Sequence, residues 1–311
     1  MNYQLSDINL KTVSDPKGFV DECIDAYDQK IEQAADLILE NYKKSPIVLL
    51  SGPSGSGKTT TSMKIAEALN RKGIGTHYVA MDDYFNTISP ETTPRTPEGD
   101  YDLESPLCLD FELLNKHFEA LSKGERIFVP KYEFSRQMRI LEPSKSIKLA
   151  KDEIVIFEGI HALNDMITQK HPDAFKLYIS AQSNIMFNEQ IVYKRTWFRL
   201  VRRVIRDSKF RGTDPQKTIE MWGNVRRGEI NYISPFKGKA DFQFDTSFPF
   251  EPALFNTIAT RLFCDIPDGI ERYDELRAVL PAIQLFGHIE EDLIPKDAML
   301  REFIGGGIYE Y

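Results

Sequence analysis

The segment Pro46–Thr60, PIVLLSGPSGSGKTT, constrains the fold of this chain more than any other. It begins with five largely apolar residues, which predict a short buried strand. The next residues match the pattern G-x-x-x-x-G-K-[ST] at Gly52, Gly57, Lys58 and Thr59. Glycines let successive backbone N–H groups turn inward around a polyphosphate, because a Cβ would forbid the backbone angles required. The sequence therefore predicts a phosphate-binding loop between a strand and a helix.

The chemistry of this loop suggests ATP and Mg²⁺ as cofactors. Lys58 would supply a point charge to the β- and γ-phosphates, and the Thr59 hydroxyl can hold Mg²⁺. The helix that begins there points its positive end at the anion. The alternative is a Gly/Ser-rich turn without function, which the helix-like segment after the loop disfavours. The residues expected to bind the nucleotide here are Gly52, Ser54, Gly55, Ser56, Gly57, Lys58, Thr59 and Thr60.

Length, charge and composition limit the remaining classes. The 311 residues suffice for one large α/β domain with appendages, and no apolar run approaches the roughly twenty residues of a membrane span. The N-terminus lacks a secretory signal, so we expect a cytoplasmic protein without a membrane partner. A net charge of −8 argues against nucleic acid as the main partner. The three cysteines and five histidines lack metal-ligand spacing, which leaves oxygen ligands and phosphate for any metal.

Buried apolar runs alternate with helical patterns along the chain, which predicts βαβ units and a mainly parallel α/β sheet flanked by helices. Strands are predicted at 46–50, 76–81, 154–157, 175–179 and 240–244, two short strands at 126–130 and 146–149, and helices at 19–42, 58–70 and 109–121. The predicted organisation is an N-terminal helical extension (1–45), a core of the P-loop NTPase type (46–262) and a C-terminal helical extension (263–311).

Acidic residues follow two of the predicted strands. Asp82 and Asp83 end the second strand, and Glu158 ends the third. Because ligands of parallel sheets bind beyond the carboxyl ends of the strands, we expect these acids beside the phosphate-binding loop. Glu158 would act on Mg²⁺, and Asp82 is expected to accept the proton of an attacking hydroxyl. The sequence alone does not decide whether Asp82 or Asp83 has this role.

An arginine-rich stretch runs over 196–212, TWFRLVRRVIRDSKFRG. Helical geometry puts four arginines on one face, where they would repel one another unless they bind an anion such as a phosphate. These are Arg199, Arg202, Arg203 and Arg206. Gly212 and the Asp214–Pro215 pair that follows would end this helix and start another, giving a lid over about 195–213. The alternative is a solvated face paired with acids of the same protein.

These segments together resemble the uridine kinase and phosphoribulokinase family of P-loop kinases, and more closely its bacterial uridine kinase-like nucleoside kinases. The similarity runs in the family's order over most of the chain. It is carried by GPSGSGKTT, MDDYF, YDLESP, VPKYEF, VIFEGIHALN, RLVRRVIRDSKFRG, MWGNVRRGEINYISPF and LREFIGG.

The resemblance implies roles for individual residues. Asp82 would be catalytic together with Lys58, Arg203 and Arg206, and Asp102 would bind ribose hydroxyls. A small hairpin would cover the acceptor. Gln137 stands where pyrimidine-selective uridine kinases carry a base-reading histidine, and Thr213 replaces a second lid arginine. The remaining residues implied are Arg211 for the nucleotide and Tyr84, Tyr132 and Phe134 for the acceptor.

Three functions follow from this sequence. The first is an ATP-dependent kinase that phosphorylates the 5′-hydroxyl of a pyrimidine nucleoside, uridine or cytidine. The second keeps the transfer but uses a pantothenate-like or sugar-phosphate alcohol, because Gln137 does not enforce a pyrimidine. The third is an ATP-sensing module without catalysis, with the C-terminal helices as a partner surface. A small-molecule partner is expected in the first two, and the sequence leaves a homo-oligomer open.

Overall fold

A parallel sheet organises the part of the chain that the computed structural model describes, residues 2–264, 266, 267, 269 and 273–310. Positions 1, 265, 268, 270–272 and 311 of the predicted extensions lie outside the described residues. Within those residues the sheet has five strands in the order β10-β7-β2-β6-β3, all parallel. Their bounds are β2 Ile47–Ser51, β3 Gly75–Ala80, β6 Glu153–Glu158, β7 Phe175–Ser180 and β10 Phe242–Asp245. The predicted α/β fold with a mainly parallel sheet is therefore confirmed.

Helices cover both faces of this sheet, because alternate residues of a strand point to opposite sides. In β2, Val48 and Leu50 join one hydrophobic cluster and Ile47 and Leu49 join the other. The first cluster contains α2, α3, α6 and α8, and the second contains α4. The helices are α1 Leu5–Ser14, α2 Pro16–Tyr42, α3 Lys58–Arg71, α4 Phe111–Ser122, α5 Asp165–Thr168, α6 Arg195–Phe210, α7 Pro215–Gly228, α8 Glu251–Cys264, α9 Tyr273–Ile283 and α10 Arg301–Ile304.

Two smaller strand groups flank the main sheet. An antiparallel hairpin pairs β4, Ile127–Glu133, with β5, Met138–Ile147, so both strands are longer than the short strands predicted at 126–130 and 146–149. A separate three-stranded sheet joins β1, Asn2–Gln4, to β8, Asn184–Phe187, and β9, Gln190–Tyr193. Strands of three and four residues carry too little alternation to be recognised in a sequence. The sequence pattern therefore did not predict this second sheet.

Residues of both predicted extensions pack against the sheet. Ile31 of α2 and Phe303 of α10 belong to the same hydrophobic cluster as Leu50 of the central strand. The division into extensions and core stays a prediction. Within the described ranges, no helix combines the length with the hydropathy that a bilayer crossing requires.

The register of the sheet sets three strand ends at one level. Glu158, the last residue of β6, pairs with Leu50 of β2 on one side and with Ala80 of β3 on the other. The phosphate-binding loop follows β2, and Asp82 follows β3. All three therefore emerge side by side at the carboxyl edge of the sheet, where ligands of such sheets bind.

Candidate active site

The phosphate-binding loop, residues 52–57, has a backbone that depends on its glycines. Gly55 and Gly57 have φ angles of +75° and +79°, which side chains rarely allow. A Cβ on Gly52 would lie 2.0 Å from the carbonyl oxygen of Ile179 in the adjacent strand β7. The loop therefore sits closer to the sheet than any other residue type would permit, and α3 begins at Lys58 directly behind it.

Side chains behind the loop hold its carbonyl groups. Three successive carbonyl oxygens accept hydrogen bonds from outside the loop, which turns them away from the space that the N–H groups must face. Two donors come from α6, and the third precedes α8. The bonds are Arg199 Nη1 to Ser54 O (3.1 Å), Arg202 Nη1 to Gly55 O (3.3 Å) and Thr246 Oγ1 to Ser56 O (2.8 Å).

Arg199 and Arg202 therefore correct the prediction that the whole arginine face binds an anion. Both side chains are buried and already neutralised: Arg199 pairs with Glu229, and Arg202 makes a bidentate pair with Glu251 at 2.7 and 2.6 Å. Buried arginines need a carboxylate partner, since an isolated charge in the interior is very costly. These two residues support the loop from behind and do not face its anion side.

The other arginines gather around one buried acid. Asp207 accepts from Arg206 at 2.9 Å, and its carboxylate lies 3.3 Å from Arg203 Nε and 3.5 Å from Arg211 Nη1. Arg203 also donates to the Ser54 hydroxyl at 2.9 Å, which joins this group to the phosphate-binding loop. Three guanidinium groups around one carboxylate leave net positive charge beside the loop. Asp207 was not recognised from the sequence, although it lies within the arginine-rich stretch.

Lys58 and Glu158 face each other at the centre of the site. The Lys58 Nζ lies 3.6 Å from Glu158 Oε1, and both side chains are about nine-tenths buried. The Tyr78 hydroxyl donates to Glu158 Oε2 at 2.8 Å. Burial and the Glu158 charge raise the pKa of Tyr78, which keeps the hydroxyl a donor. Thr59 is half-buried in the first turn of α3. The predicted role of Thr59 and Glu158 as Mg²⁺ ligands stays a prediction.

The structure separates Asp82 from Asp83. Asp82 lines the cavity beside the loop, where its side chain is open to solvent through the cleft but enclosed by protein on the other sides. Asp83 turns to the hairpin instead and accepts a hydrogen bond from the Tyr132 backbone N–H at 3.3 Å. Although the Asp82 side chain is exposed to the cavity, the protein packed around it partly desolvates the carboxyl group. This desolvation, with Glu158 nearby, raises the pKa of Asp82 to about 6, and the Lys58 charge opposes that rise.

The cavity that Asp82 lines has a volume of about 640 Å³, which lies in the range of small-molecule sites. One wall is aromatic: Tyr132 and Phe134 of the hairpin lie 5.1 Å apart between ring centroids, and Phe85 packs against both. Gln137, with a φ of +51° at the hairpin turn, also lines the cavity. Arg203 and Ser54 line its opposite end, at the phosphate-binding loop.

Two residues predicted to contact the acceptor lie elsewhere. Tyr84 is completely buried, and its hydroxyl is hydrogen-bonded to His117 Nδ1 at 2.8 Å. Asp102 is also buried and accepts from the Tyr232 hydroxyl at 2.8 Å, with Arg227 at 3.7 Å. Neither residue is among those that line the cavity. The complete burial of Tyr84 corrects its predicted contact with the acceptor, whereas the role predicted for Asp102 stays a prediction.

Glu104 takes the place in the cavity that Asp102 was predicted to fill. It lies two residues further along the same YDLESP segment and lines the cavity with Asp82. Burial raises the pKa of Glu104 to about 7, while the Arg203 charge opposes the rise. The sequence shows two acids, Asp102 and Glu104, in one short segment, but it does not show which of them faces the cavity.

The raised pKa of Asp82 leads to a prediction about pH. Only the deprotonated carboxylate can accept a proton, so a pKa near 6 moves the acidic limb of activity upward from the usual range of aspartate. We expect kcat/KM to rise about tenfold per pH unit below about pH 6 and to level off above about pH 7. A pH profile of initial rates measures this. Asp83→Asn should keep the same profile, whereas an inflection near pH 4 in the wild type would contradict the assignment.

Comparisons with known proteins show the family of this chain. The model of the Phosphoribulokinase / Uridine kinase family matches residues 47–248, more than half of the chain. Uridine kinase of Saccharomyces cerevisiae is 29% identical over 196 residues, which cover 63% of this chain but only 36% of that protein. Uridine kinase of Deinococcus deserti is 27% identical over 67% of this chain and 91% of its own length.

The solved structures that this chain matches are more distant in sequence. The putative fructose transport system kinase from Silicibacter sp. TM1040 is 20% identical, with a TM-score of 0.48, over 65% of this chain and 95% of its own. The possible uridine kinase from Bacillus stearothermophilus is 19% identical, with a TM-score of 0.40, over 64% and 88%.

Proposed function

This chain belongs to the Phosphoribulokinase / Uridine kinase family, and from this premise we propose that it is an ATP-dependent kinase that phosphorylates the 5′-hydroxyl of a pyrimidine nucleoside. One observation carries the proposal. An aromatic-walled cavity opens at Asp82 and Arg203, directly beside Ser54 of the phosphate-binding loop. An acceptor held in that cavity would present its hydroxyl at the end where the transferred phosphate lies.

The proposed transfer assigns a part to each residue of the site. The acceptor oxygen forms a bond to the γ-phosphorus as the bond to the β,γ-bridging oxygen breaks, and the hydroxyl proton passes to Asp82. Lys58, Arg203 and Arg206 supply positive charge to the phosphate oxygens, where charge stabilisation and positioning provide most of the rate. Thr59 and Glu158 would hold a Mg²⁺, which would supply positive charge to the phosphate groups. Asp207 keeps the arginines oriented.

The charge of the cavity favours a neutral acceptor. Its charged lining residues are Asp82, Glu104 and Arg203, and Arg203 already lies 3.3 Å from the carboxylate of Asp207. A sugar phosphate or the carboxylate of a pantothenate-like acceptor would therefore meet more acidic than basic groups there. A ribose suits the same carboxylates, because its hydroxyls donate hydrogen bonds. The ring systems of Tyr132 and Phe134 offer stacking surfaces to a flat base. The Gln137 amide can both donate to and accept from a pyrimidine edge.

A substitution in the hairpin tests the stacking role. Phe134 is 63% exposed, so Phe134→Ala should fold normally. We expect KM for the nucleoside to rise about tenfold with kcat changed less than about threefold, because stacking contributes mainly to binding. Steady-state kinetics at saturating ATP measures both values. Phe187→Ala, at a similarly exposed phenylalanine of β8 in the separate sheet, should change neither.

A panel of acceptors tests the proposed substrate class. Uridine, cytidine, adenosine, pantothenate and a sugar phosphate are compared by ADP release and by the shift in thermal midpoint, which follows mass action of the ligand that binds. We expect the pyrimidine nucleosides to give the largest effect in both measurements. A larger effect of pantothenate or of the sugar phosphate would replace the acceptor while keeping the transfer. The sequence-based expectations of a cytoplasmic location and an open oligomeric state accompany this proposal.

A further inference from the structure

The C-terminal segment, defined here as residues 296–307 with α10, packs directly onto the phosphate-binding loop. Met299 lies so close that a Cβ on Gly57 would fall 2.4 Å from its Sδ atom. The Phe303 ring is fully buried, with the Arg202 guanidinium 5.5 Å from its centroid. The same arginine that braces the loop therefore also contacts the C-terminal segment, which forms part of the nucleotide site.

One acidic side chain of this segment reaches the loop helix. Glu302 is buried, and its carboxylate accepts from the Thr60 hydroxyl at 2.8 Å and from the Thr60 backbone N–H at 3.4 Å. Thr60 is the third residue of α3, so its N–H lies in the first turn, where N–H groups point beyond the N-terminus of the helix. Such groups are the natural donors to a phosphate. In this structure a carboxylate of the protein already accepts from them.

We propose that Glu302 is a stand-in anion that competes with the nucleotide for Thr60 and thereby sets the affinity for ATP. The carboxylate offers the same kind of acceptor oxygens as a phosphate, within hydrogen-bond reach of the same N–H. Two anions cannot share that donor without repulsion. Nucleotide binding therefore displaces the Glu302 side chain. The Arg211 charge lies within electrostatic range of Glu302, at the side of the arginine group.

The size of the buried surface shows that only the side chain moves. Met299, Leu300, Phe303 and Ile304 are each at most 2% exposed. Burial of one such side chain favours the packed state by about ten- to a hundredfold, so four favour it by at least about 10⁴-fold. ATP at a hundred times its Kd shifts an equilibrium by only about a hundredfold. The segment therefore stays in place as a wall while Glu302 rotates.

Calorimetry of MgATP binding tests this proposal. The proposal rests on the proposed function only in one respect, namely that the phosphate-binding loop binds a nucleotide. Glu302→Gln keeps an acceptor oxygen for Thr60 but removes the charge. We expect its Kd for MgATP to fall about tenfold. Asp292→Asn removes the charge of an exposed acid in the preceding turn and should leave the Kd unchanged. Adenosine, which carries no phosphate, should bind both variants and the wild type alike.

Each outcome decides the matter. An unchanged or weaker affinity of Glu302→Gln for MgATP, at a thermal midpoint near that of the wild type, overturns the proposal and leaves the kinase assignment standing. If Glu302→Gln is less stable, Glu302→Ala gives the second reading: tighter MgATP binding supports competition, and weaker binding identifies a purely structural contact. Tighter binding without turnover of any acceptor would instead overturn the proposed function. A wild type that binds neither MgATP nor inorganic triphosphate overturns both.

Discussion

Replacement of Asp82 by asparagine should lower kcat by about 10²- to 10⁴-fold, the usual contribution of a positioned general base. Asparagine has nearly the same shape but cannot accept the proton of the acceptor hydroxyl. The Kd for MgATP should stay within about twofold of the wild type, because the phosphate-binding loop and Lys58 are unchanged. Single-turnover kinetics and calorimetry on the same preparation measure the two quantities.

The neighbouring aspartate provides the matched control. Asp83 is the next residue in the chain, but its side chain points to the hairpin, where its carboxylate accepts a hydrogen bond from the Tyr132 backbone N–H. Asp83→Asn should therefore raise KM for the acceptor without a large loss in kcat. If Asp82→Asn retains full turnover, Asp82 is not the residue that accepts the proton. If the wild type binds MgATP but phosphorylates no acceptor, the protein is an ATP-sensing module and not a kinase.

Removal of the Arg202 charge should destabilise the fold by about 3 to 5 kcal/mol, because it leaves a buried carboxylate without compensation. Arg202 and its partner Glu251 are both at most 1% exposed, and their bidentate contact has no access to solvent. In Arg202→Met the apolar part of the side chain remains, so the loss is mainly that of the charge. Urea unfolding with a common m-value measures the free energy of unfolding.

Two further variants identify the cause of that loss. Arg261→Met removes an exposed arginine of α8 and should cost less than about 0.5 kcal/mol. The double variant Arg202→Met with Glu251→Leu replaces the pair by apolar groups, and it should recover at least about half of the loss. A stable Arg202→Met variant that had lost only ATP affinity would restore the original interpretation of Arg202 as an anion-binding residue.

The parts of the site that depend on local sequence could be predicted. The phosphate-binding loop needs glycines at fixed positions, and a buried strand needs continuous apolar residues. Residues 46–60 have both features, so the strand and the loop could be predicted from them. The acids at the ends of β3 and β6 followed from the rule that parallel strands share an edge. The sequence did not give the register of the strands, which determines whether these acids lie side by side. The structure shows the register through the pairing of Glu158 with Leu50 and Ala80.

The roles of the four arginines could not be predicted from the helical pattern alone. The pattern gives the direction of a side chain around the helix axis, and all four do share one face. The position of each arginine along the axis of α6 then decides which part of the phosphate-binding loop it reaches. Arg199 and Arg203 are about one turn, or about 6 Å, apart along the helix. Arg199 therefore donates to the carbonyl oxygen of Ser54, and Arg203 donates to the hydroxyl of the same residue.

The acids that sequence reasoning missed act through contacts between distant parts of the chain. Glu302 meets Thr60 across 242 residues, and no spacing or composition signals such a contact. Glu104 and Asp102 differ only in the side of a short irregular segment on which they lie. Without strand or helix periodicity, a sequence gives no direction for either side chain.

Identification of the product tests the central claim most directly, because it follows the phosphate and not only the consumption of ATP. The protein is incubated with MgATP and uridine or cytidine, and the phosphorus-containing species are followed by ³¹P NMR. We predict a nucleoside 5′-monophosphate that forms in equal amount with ADP, and that forms at least about 100-fold more slowly with Asp82→Asn. Inorganic phosphate and ADP released at the same rate with and without nucleoside would contradict the account.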